Sequence, residues 1–134
     1  MDITHFDDFP AAAGQQPEPQ RLLFTFAVSE LPSDASAAQR AAFERGEGGA
    51  LVPAACVDKT LDELSTFAAF ADEAQQFGLD WVIVFATSLS GHAGAAPSAA
   101  DAEEPLRRMV AMIKAGDIES LLPFNRQGEP VRLG

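Results

Sequence analysis

The clearest hydrophobic pattern of the chain lies at residues 81–86, where both alternating sets of positions are apolar. One set is Trp81, Ile83 and Phe85, and the other is Val82, Val84 and Ala86. A strand that is apolar on both faces is covered on both faces, as the central strands of α/β sheets are. Polar residues begin only at its C-terminal end, with Thr87 and Ser88. The pattern predicts a central strand with polar residues where open α/β sheets carry their ligand crevices.

Two further strands are predicted upstream of this one. Residues 22–28 place phenylalanine and valine at alternate positions, so that one face of the strand is apolar. Residues 50–57 form a second apolar run, which Pro53 interrupts. Since proline cannot donate a hydrogen bond to a neighbouring strand, we expect this strand to lie at an edge of the sheet or to carry a bulge.

Four helices are predicted from apolar positions at spacings of three and four. The first covers residues 3–16, although Pro10 removes a backbone donor within it. A stiff connector with two prolines follows at residues 17–20. The second helix runs from about residue 36 to residue 45 and ends at Gly46.

The third and fourth helices carry stronger boundary signals. Thr60 and Glu63 have the spacing of a capping box, in which each side chain satisfies a free backbone donor of the other, and Gly78 ends this helix. The fourth helix runs from about Asp101 to Ala115. Its predicted core face consists of Leu106, Met109, Val110 and Ile113.

The order of these elements predicts an α/β fold. Strands separated by helices imply right-handed parallel crossovers. Two short apolar pieces flank the turn at residues 125–128 and predict a C-terminal β-hairpin. We therefore expect a mixed, mostly parallel sheet of about five strands flanked by about four helices. The 134 residues form one domain, in which the N-terminal helix (1–16) and the connector (17–20) precede an α/β core (21–134).

A candidate site follows from this topology rather than from a motif. The C-terminal ends of parallel strands meet at one edge of a sheet, and these ends carry polar residues. The catalytic candidates are His92, Asp58 and Lys59, because an imidazole titrates near neutral pH and charged neighbours can assist acid–base chemistry. The candidate ligand-binding residues are Ser88, Ser90, Gly91 and His92, whose glycine-flanked loop could present backbone N–H groups to an anion.

Each of these residues also has a plain structural interpretation. His92 is compatible with an exposed loop histidine, and Asp58 and Lys59 with an exposed ion pair. The segment around Ser90 has neither the lysine of a P-loop nor the spacing of a nucleophile elbow. His5 and His92 are far apart in the sequence and Cys56 is the single cysteine, so no metal site and no cofactor are predicted.

Charge and composition narrow the classes of partner. The formal net charge is −11, with 9 basic and 20 acidic residues, so we expect the chain to repel nucleic acid and anionic membranes. The acidic N-terminus does not resemble a secretory signal, and the apolar runs are shorter than a membrane span of about 20 residues. We expect a cytoplasmic protein in which Cys56 is a buried small residue.

The stretches Pro17–Phe24, Gly46–Pro53 and Arg126–Pro130 are similar to those of a group of short bacterial proteins, some of which are labelled ribonucleotide reductase subunit alpha. The resemblance covers nearly the whole chain and implies no established activity. A reductase catalytic subunit needs a large barrel, several redox-active cysteines and a radical path that often uses tyrosines. Because the chain has one cysteine and no tyrosine, it lacks the residues for this chemistry. Association with such an enzyme stays open.

Two functions are therefore expected from the sequence. The favoured one is a non-enzymatic binding or protein-interaction module, for which we expect an apolar patch near the phenylalanine-rich first helix or at the edge strand with Pro53. The alternative is a small enzyme, or an anion- or metabolite-binding protein, with its site around His92. The alternative requires a pocket that holds His92 together with Asp58, Lys59 or Ser90 within hydrogen-bond reach.

Overall fold

The computed structural model describes residues 3–31, 33–45 and 49–133. Four helices and four strands alternate along this part of the chain. In chain order they are α1 (Asp8–Gly14), β1 (Gln20–Glu30), α2 (Ala37–Glu44), β2 (Ala50–Thr60), α3 (Phe67–Gln75), β3 (Ile83–Ser90), α4 (Ala99–Ala115) and β4 (Leu122–Phe124). The α/β class is as predicted, but Gly46, the predicted end of the second helix, lies outside the described residues.

The prediction of a mostly parallel sheet of about five strands is wrong. The described strands form one four-stranded sheet in the order β2-β1-β3-β4, and every neighbouring pair is antiparallel. The error begins at α2, which buries none of its residues and so covers neither face of the sheet. The connection from β1 to β2 is therefore an enlarged hairpin rather than a crossover, and it returns the chain antiparallel beside β1.

One crossover of the predicted kind is present. β2 and β3 both pair antiparallel with β1, which lies between them, so they run in the same direction. The helix that connects them, α3, buries Phe67, Phe70 and Ala74 against one face of the sheet. β2, α3 and β3 thus form a parallel crossover, and the antiparallel strand β1 lies between its two strands.

The predicted C-terminal hairpin forms only in part. β4 pairs with β3, and the chain turns at residues 125–128, where Gly128 has a φ of 78°. The returning arm makes a single bridge from Pro130 to Phe124 and a hydrogen bond from the Val131 N–H to the Pro123 carbonyl (3.0 Å). Since Pro130 has no N–H to donate, this arm does not extend into a fifth strand.

Both faces of the sheet are covered, as the apolar pattern of residues 81–86 predicted. One core, between the sheet and α1 with α3, is built mainly from phenylalanine, and the other lies between the sheet and α4. β3 contributes Val84 and Ala86 to the first core and Ile83 and Phe85 to the second. Trp81 packs with Val84 rather than with Ile83, against the predicted alternation, because the strand begins only at Ile83.

The prediction for Pro53 is confirmed on both counts. β2 is an edge strand, and its register with β1 shifts between Phe26 and Ala27, which leaves Ala54 as the extra residue of a bulge beside Pro53. A bulge at the proline lets the strand continue as far as Thr60. Every described helix is too short or too polar to cross a lipid bilayer.

The capping box of Thr60 and Glu63 forms, but it does not begin a helix. The Thr60 N–H donates to Glu63 Oε1 (2.8 Å) and the Glu63 N–H donates to Thr60 Oγ1 (3.3 Å), closing a turn at the end of β2. Helix α3 begins later, at Phe67, where Thr66 accepts from the Ala69 N–H (3.2 Å). The reciprocal bonds need only a local turn, so the motif did not fix the helix start.

The N-terminal segment packs against the rest of the fold with Phe6 at the centre of its contacts. Helix α1 is shorter than predicted, with Pro10 in its first turn, where its missing N–H leaves no intrahelical bond unmade. The fully buried Phe6 lies just before it. The Phe6 ring lies 4.9–6.5 Å from five other rings, those of Phe9, Phe24, Phe67, Phe70 and Phe124. The Phe6 N–H also donates to the Gly128 carbonyl (2.7 Å).

Replacing Phe6 by alanine is expected to lower the free energy of unfolding by about 3–5 kcal/mol, because the lost ring leaves a cavity between four elements. Urea denaturation monitored by circular dichroism measures the change. Phe77→Ala is the matched control: Phe77 is 49% exposed, and its truncation should change the free energy of unfolding by less than about 0.5 kcal/mol. Equal losses in the two variants would contradict the assignment of Phe6 as the centre of this core.

Candidate functional site

The sheet topology brings together the ends of two of the three predicted strands and separates them from the end of the third. Because β2 and β3 run in the same direction, their C-terminal ends place Asp58, Lys59, Ser88 and Ser90 at one end of the sheet, with His92 just beyond β3. β1 runs the opposite way, so Ser29 and Glu30 lie at the other end and not with these residues. The beginning of β1 occupies the space between β2 and β3.

Arg21, at the beginning of β1, organises this end of the sheet. Its Nε donates to Asp58 Oδ2 (2.7 Å), and its Nη2 lies 2.6 Å from the same oxygen. Its Nη1 donates to the carbonyl of Pro97 (3.3 Å), in the loop before α4. The Arg21 side chain is only 12% exposed, so its charge interacts with these groups under reduced solvent screening. One guanidinium thus joins β1, β2 and the loop that follows β3.

Lys59 is directed away from Asp58. Successive strand residues point to opposite faces of a sheet, and Lys59 Nζ donates to both carboxylate oxygens of Glu73 on α3 (2.8 and 3.0 Å). Asp58 instead lies on the face that α4 covers, bound to Arg21. The two catalytic candidates of β2 therefore serve separate ion pairs on separate faces.

The loop after β3 has a fixed backbone. His92 and Ala95 exchange backbone hydrogen bonds (2.9 and 3.0 Å), with positive φ at Ala93 (53°) and Gly94 (80°), as in a type I′ turn. The Gly94 N–H donates to Glu18 Oε2 (2.8 Å). A Cβ on Gly91 would lie 2.1 Å from the Ala95 carbonyl oxygen, so this close approach requires glycine.

A shallow cleft of about 320 Å³ opens beside this turn. It is lined by residues 89–92 and 95–97 and by Asp101 on α4. The Ser90 hydroxyl accepts a hydrogen bond from Gln20 Nε2 (2.9 Å) and remains able to donate. Among the described residues, no side chain or backbone group hydrogen-bonds to the exposed imidazole of His92. The structure thus places His92 at a cleft but outside hydrogen-bond contact with Asp58, Lys59 or Ser90.

Asp101 gives the cleft a negative charge. The Ser98 N–H donates to its carboxylate (2.9 Å), and this bond, with that of the Ser98 hydroxyl, lowers the pKa of Asp101 below its ordinary value of 3.8, helped by the charge of Arg21. Similarly, hydrogen bonds from Thr60 and then the charges of Arg21 and Lys59 lower the pKa of Glu63. The Ser98–Asp101 capping box occupies backbone donors at the start of α4 that the anion hypothesis would use.

Cys56 is exposed, contrary to the prediction that it is buried, because β2 is an edge strand. Its Sγ lies 3.5 Å from Thr25 Oγ1. It lines a groove of about 210 Å³ between β2 and α4, with Val110 and Lys114 on the helix side and Pro53 on the strand side. No local signal in the sequence indicates this groove, because it joins residues more than fifty positions apart.

Known proteins do not add to this description. Comparison of the chain with protein-family models, with curated proteins and with solved structures found no match. In the described part of the chain, no cluster of three or more histidine, cysteine, aspartate or glutamate side chains has the geometry to hold a metal ion.

The capping carboxylate of Asp101 should make stability depend on acid pH. Because its folded pKa is lowered, its contribution is present above the unfolded value of 3.8 and is lost as the pH falls through the folded value. As the pH falls from about 5 to about 2.5, the free energy of unfolding of Asp101→Asn is therefore expected to decrease less than that of the unmodified chain. Urea denaturation at each pH measures this difference. Asp72→Asn, an exposed substitution on α3, should retain the full acid dependence. An unchanged dependence in Asp101→Asn would contradict this role.

Proposed function

We propose that this chain is a non-enzymatic protein-interaction domain that binds an extended segment of a partner as an added strand along β2. The observation that supports the proposal is the difference between the two edges of the sheet. The edge strand β4 has three residues, and the chain's own return through Pro130 and Val131 covers it. The edge strand β2 has eleven residues, and among the described residues no strand pairs with its outer side. A long open edge is a ready template for another strand.

The direction of the backbone groups on β2 follows from the neighbouring strands. The carbonyls of Pro19 and Ala27 accept hydrogen bonds from Gly91 and Val82, on the β3 side. Alternation along β1 then directs its even-numbered residues, such as Leu22 and Phe24, toward β2. The backbone N–H and C=O groups of their partners on β2 therefore point toward β1. Those of the residues between these partners point away from the sheet. The outward-facing residues with free backbone groups are Leu51, Pro53, Cys56 and Asp58, whereas the N–H and the carbonyl of Thr60 are already bonded to Glu63 in the turn that follows β2.

The side chains along this edge also suit an added strand. Residues 50–57 carry no charge, and every described residue of β2 is at least partly exposed. The groove beside Cys56 and Val110 can accept side chains of the partner strand that lie on the face of the sheet covered by α4. β-augmentation uses these two elements together, with backbone bonds for affinity and pockets at alternate positions for specificity.

The charged groups that could serve catalysis are engaged in holding the fold. Asp58 is bound by Arg21, and Lys59 is bound by Glu73. This arrangement supports a binding role over an acid–base role for these residues. We also propose a cytoplasmic location, since an exposed free thiol such as Cys56 is compatible with a reducing compartment.

The cleft beside His92 supports a second candidate function, the binding of a small ligand. The cleft of about 320 Å³ is within the size range of ligand pockets, and it combines apolar lining with the Ser90 hydroxyl, the imidazole and the Asp101 carboxylate. The carboxylate and the overall charge of −11 favour a neutral or cationic ligand over an anion.

The strand-addition proposal predicts that peptides bind at outward-facing amides. Short peptides with uncharged β-branched sequences should protect the N–H groups of Cys56 and Asp58 from hydrogen exchange. Cys56→Pro removes one of these donors and should weaken binding about three- to tenfold, whereas Cys56→Ser, which keeps the donor, should not.

A second measurement keeps this test independent of how well Cys56→Pro folds. Methylation of the peptide backbone at alternate nitrogens should abolish binding in one phase of the alternation and leave it in the other. Peptides that protect amides elsewhere, or no binding by any peptide of the set, would contradict the proposal.

The cleft predicts stabilisation by ligand. A neutral or cationic metabolite present at about one hundred times its Kd should stabilise the chain by about 2.7 kcal/mol, detected as a rise in Tm across a metabolite panel. His92→Ala should reduce that rise, and the exposed substitution Asp72→Asn on α3 should not. A panel without any shift, or shifts that persist in His92→Ala, would contradict this second function.

A further inference from the structure

The open edge of β2 is divided into two unequal parts. Pro53 faces outward and has no N–H, and the bulge at Ala54 breaks the regular alternation next to it. On the C-terminal side the strand is regular from Ala55 to Thr60, with free outward-facing backbone groups at Cys56 and Asp58, since those of Thr60 are bonded to Glu63. A partner strand therefore has a continuous pairing surface only along this C-terminal part.

The charges around this part are unevenly distributed. The strand carries no charge before Asp58, whereas four carboxylates lie at or near its C-terminal end. These are Asp58, Asp62, Glu63 and Glu73, against the two cations Arg21 and Lys59. Asp62 and Glu63 are exposed in the turn that follows the strand, where they can reach a bound segment. One end of the pairing surface is neutral and the other is acidic.

We infer that the partner of β2 is an extended segment with an uncharged β-prone core and basic residues at its N-terminal end, bound antiparallel to β2. This inference rests on the strand-addition function proposed above. Antiparallel pairing is the more stable arrangement per residue, and it places the partner's N-terminal residues beside the C-terminal end of β2. Lysine or arginine there lies next to Asp62 and Glu63, so the charges of the two sides are complementary.

A second copy of this chain fits the same surface poorly. A symmetric antiparallel pairing centred on residues 56–60 would place Asp58 opposite the same aspartate of the other copy. Like charges directly opposite each other destabilise a strand pair. Each copy also carries a net charge of −11, which opposes association at ordinary ionic strength.

Three synthetic peptides test the inference on the full chain. All contain the core Val-Thr-Val-Thr-Val-Thr with blocked termini, and they carry two lysines at the N-terminal end, two lysines at the C-terminal end, or two glutamates at the N-terminal end. The peptide with N-terminal lysines should bind about fivefold more tightly than the one with C-terminal lysines at low salt, and more tightly still than the glutamate peptide. At about 1 M salt the differences should disappear.

Charge-matched variants locate the effect. Asp62→Asn combined with Glu63→Gln should remove the preference for N-terminal lysines, and glutamine at position 63 can still accept the Thr60 N–H bond. Asp80→Asn combined with Glu119→Gln removes the same net charge on the side of β4 and should leave the preference intact. An equal effect of the two pairs would mean that only net charge matters and would overturn the inference.

The remaining outcomes separate the inference from the function on which it rests. If all three peptides protect the Cys56 and Asp58 amides with equal affinity, the basic N-terminal partner is wrong and strand addition stands. If none protects these amides, strand addition itself fails. If the chain sediments as a dimer without peptide, and the same amides are protected in that dimer, the occupant of the edge is a second copy. That result overturns the inference.

Discussion

The aromatic contacts of Phe6 hold one entire face of the sheet together. Its ring packs against five others, which are Phe9 of α1, Phe24 of β1, Phe67 and Phe70 of α3, and Phe124 of β4. The same short segment supplies the Asp7 carboxylate that accepts the Phe67 N–H (3.0 Å), so it also caps α3. Because interiors are close-packed, a ring shared by so many elements fixes their mutual positions.

The second constraint is the direction of β1 between β2 and β3. An inserted antiparallel strand brings its own beginning to the end of the sheet where its neighbours finish, and Arg21 lies there. The guanidinium is hydrogen-bonded to Asp58, and its positive charge also lowers the pKa of Glu63 and of Asp101. A fully parallel sheet would have placed the C-terminal end of β1, with Glu30, at this rim in place of Arg21. The topology thus places a cation among these carboxylates, although the rim stays acidic.

How far the sequence predicts this structure depends on the range of each signal. The burial of both faces of β3 and the edge position of Pro53 follow from local chemistry and are observed, but Val82, which lies before β3, is exposed against the prediction. Strand direction could not be predicted, because the sequence between β1 and β2 predicts a helix but not whether that helix covers the sheet. For the candidate site, the loop at His92 was found, but Arg21 was missed because its partner Asp58 is thirty-seven positions away.

The hydrogen bond from Phe6 to Gly128 joins residues that are separated by nearly the whole chain. Such distant contacts form late, since the entropy lost in closing a long loop must be offset by contacts that do not yet exist. During synthesis on the ribosome, the aromatic face cannot close before residues 122–128 have emerged. Until then the nascent chain presents a row of phenylalanine rings to its surroundings, and aggregation competes with folding.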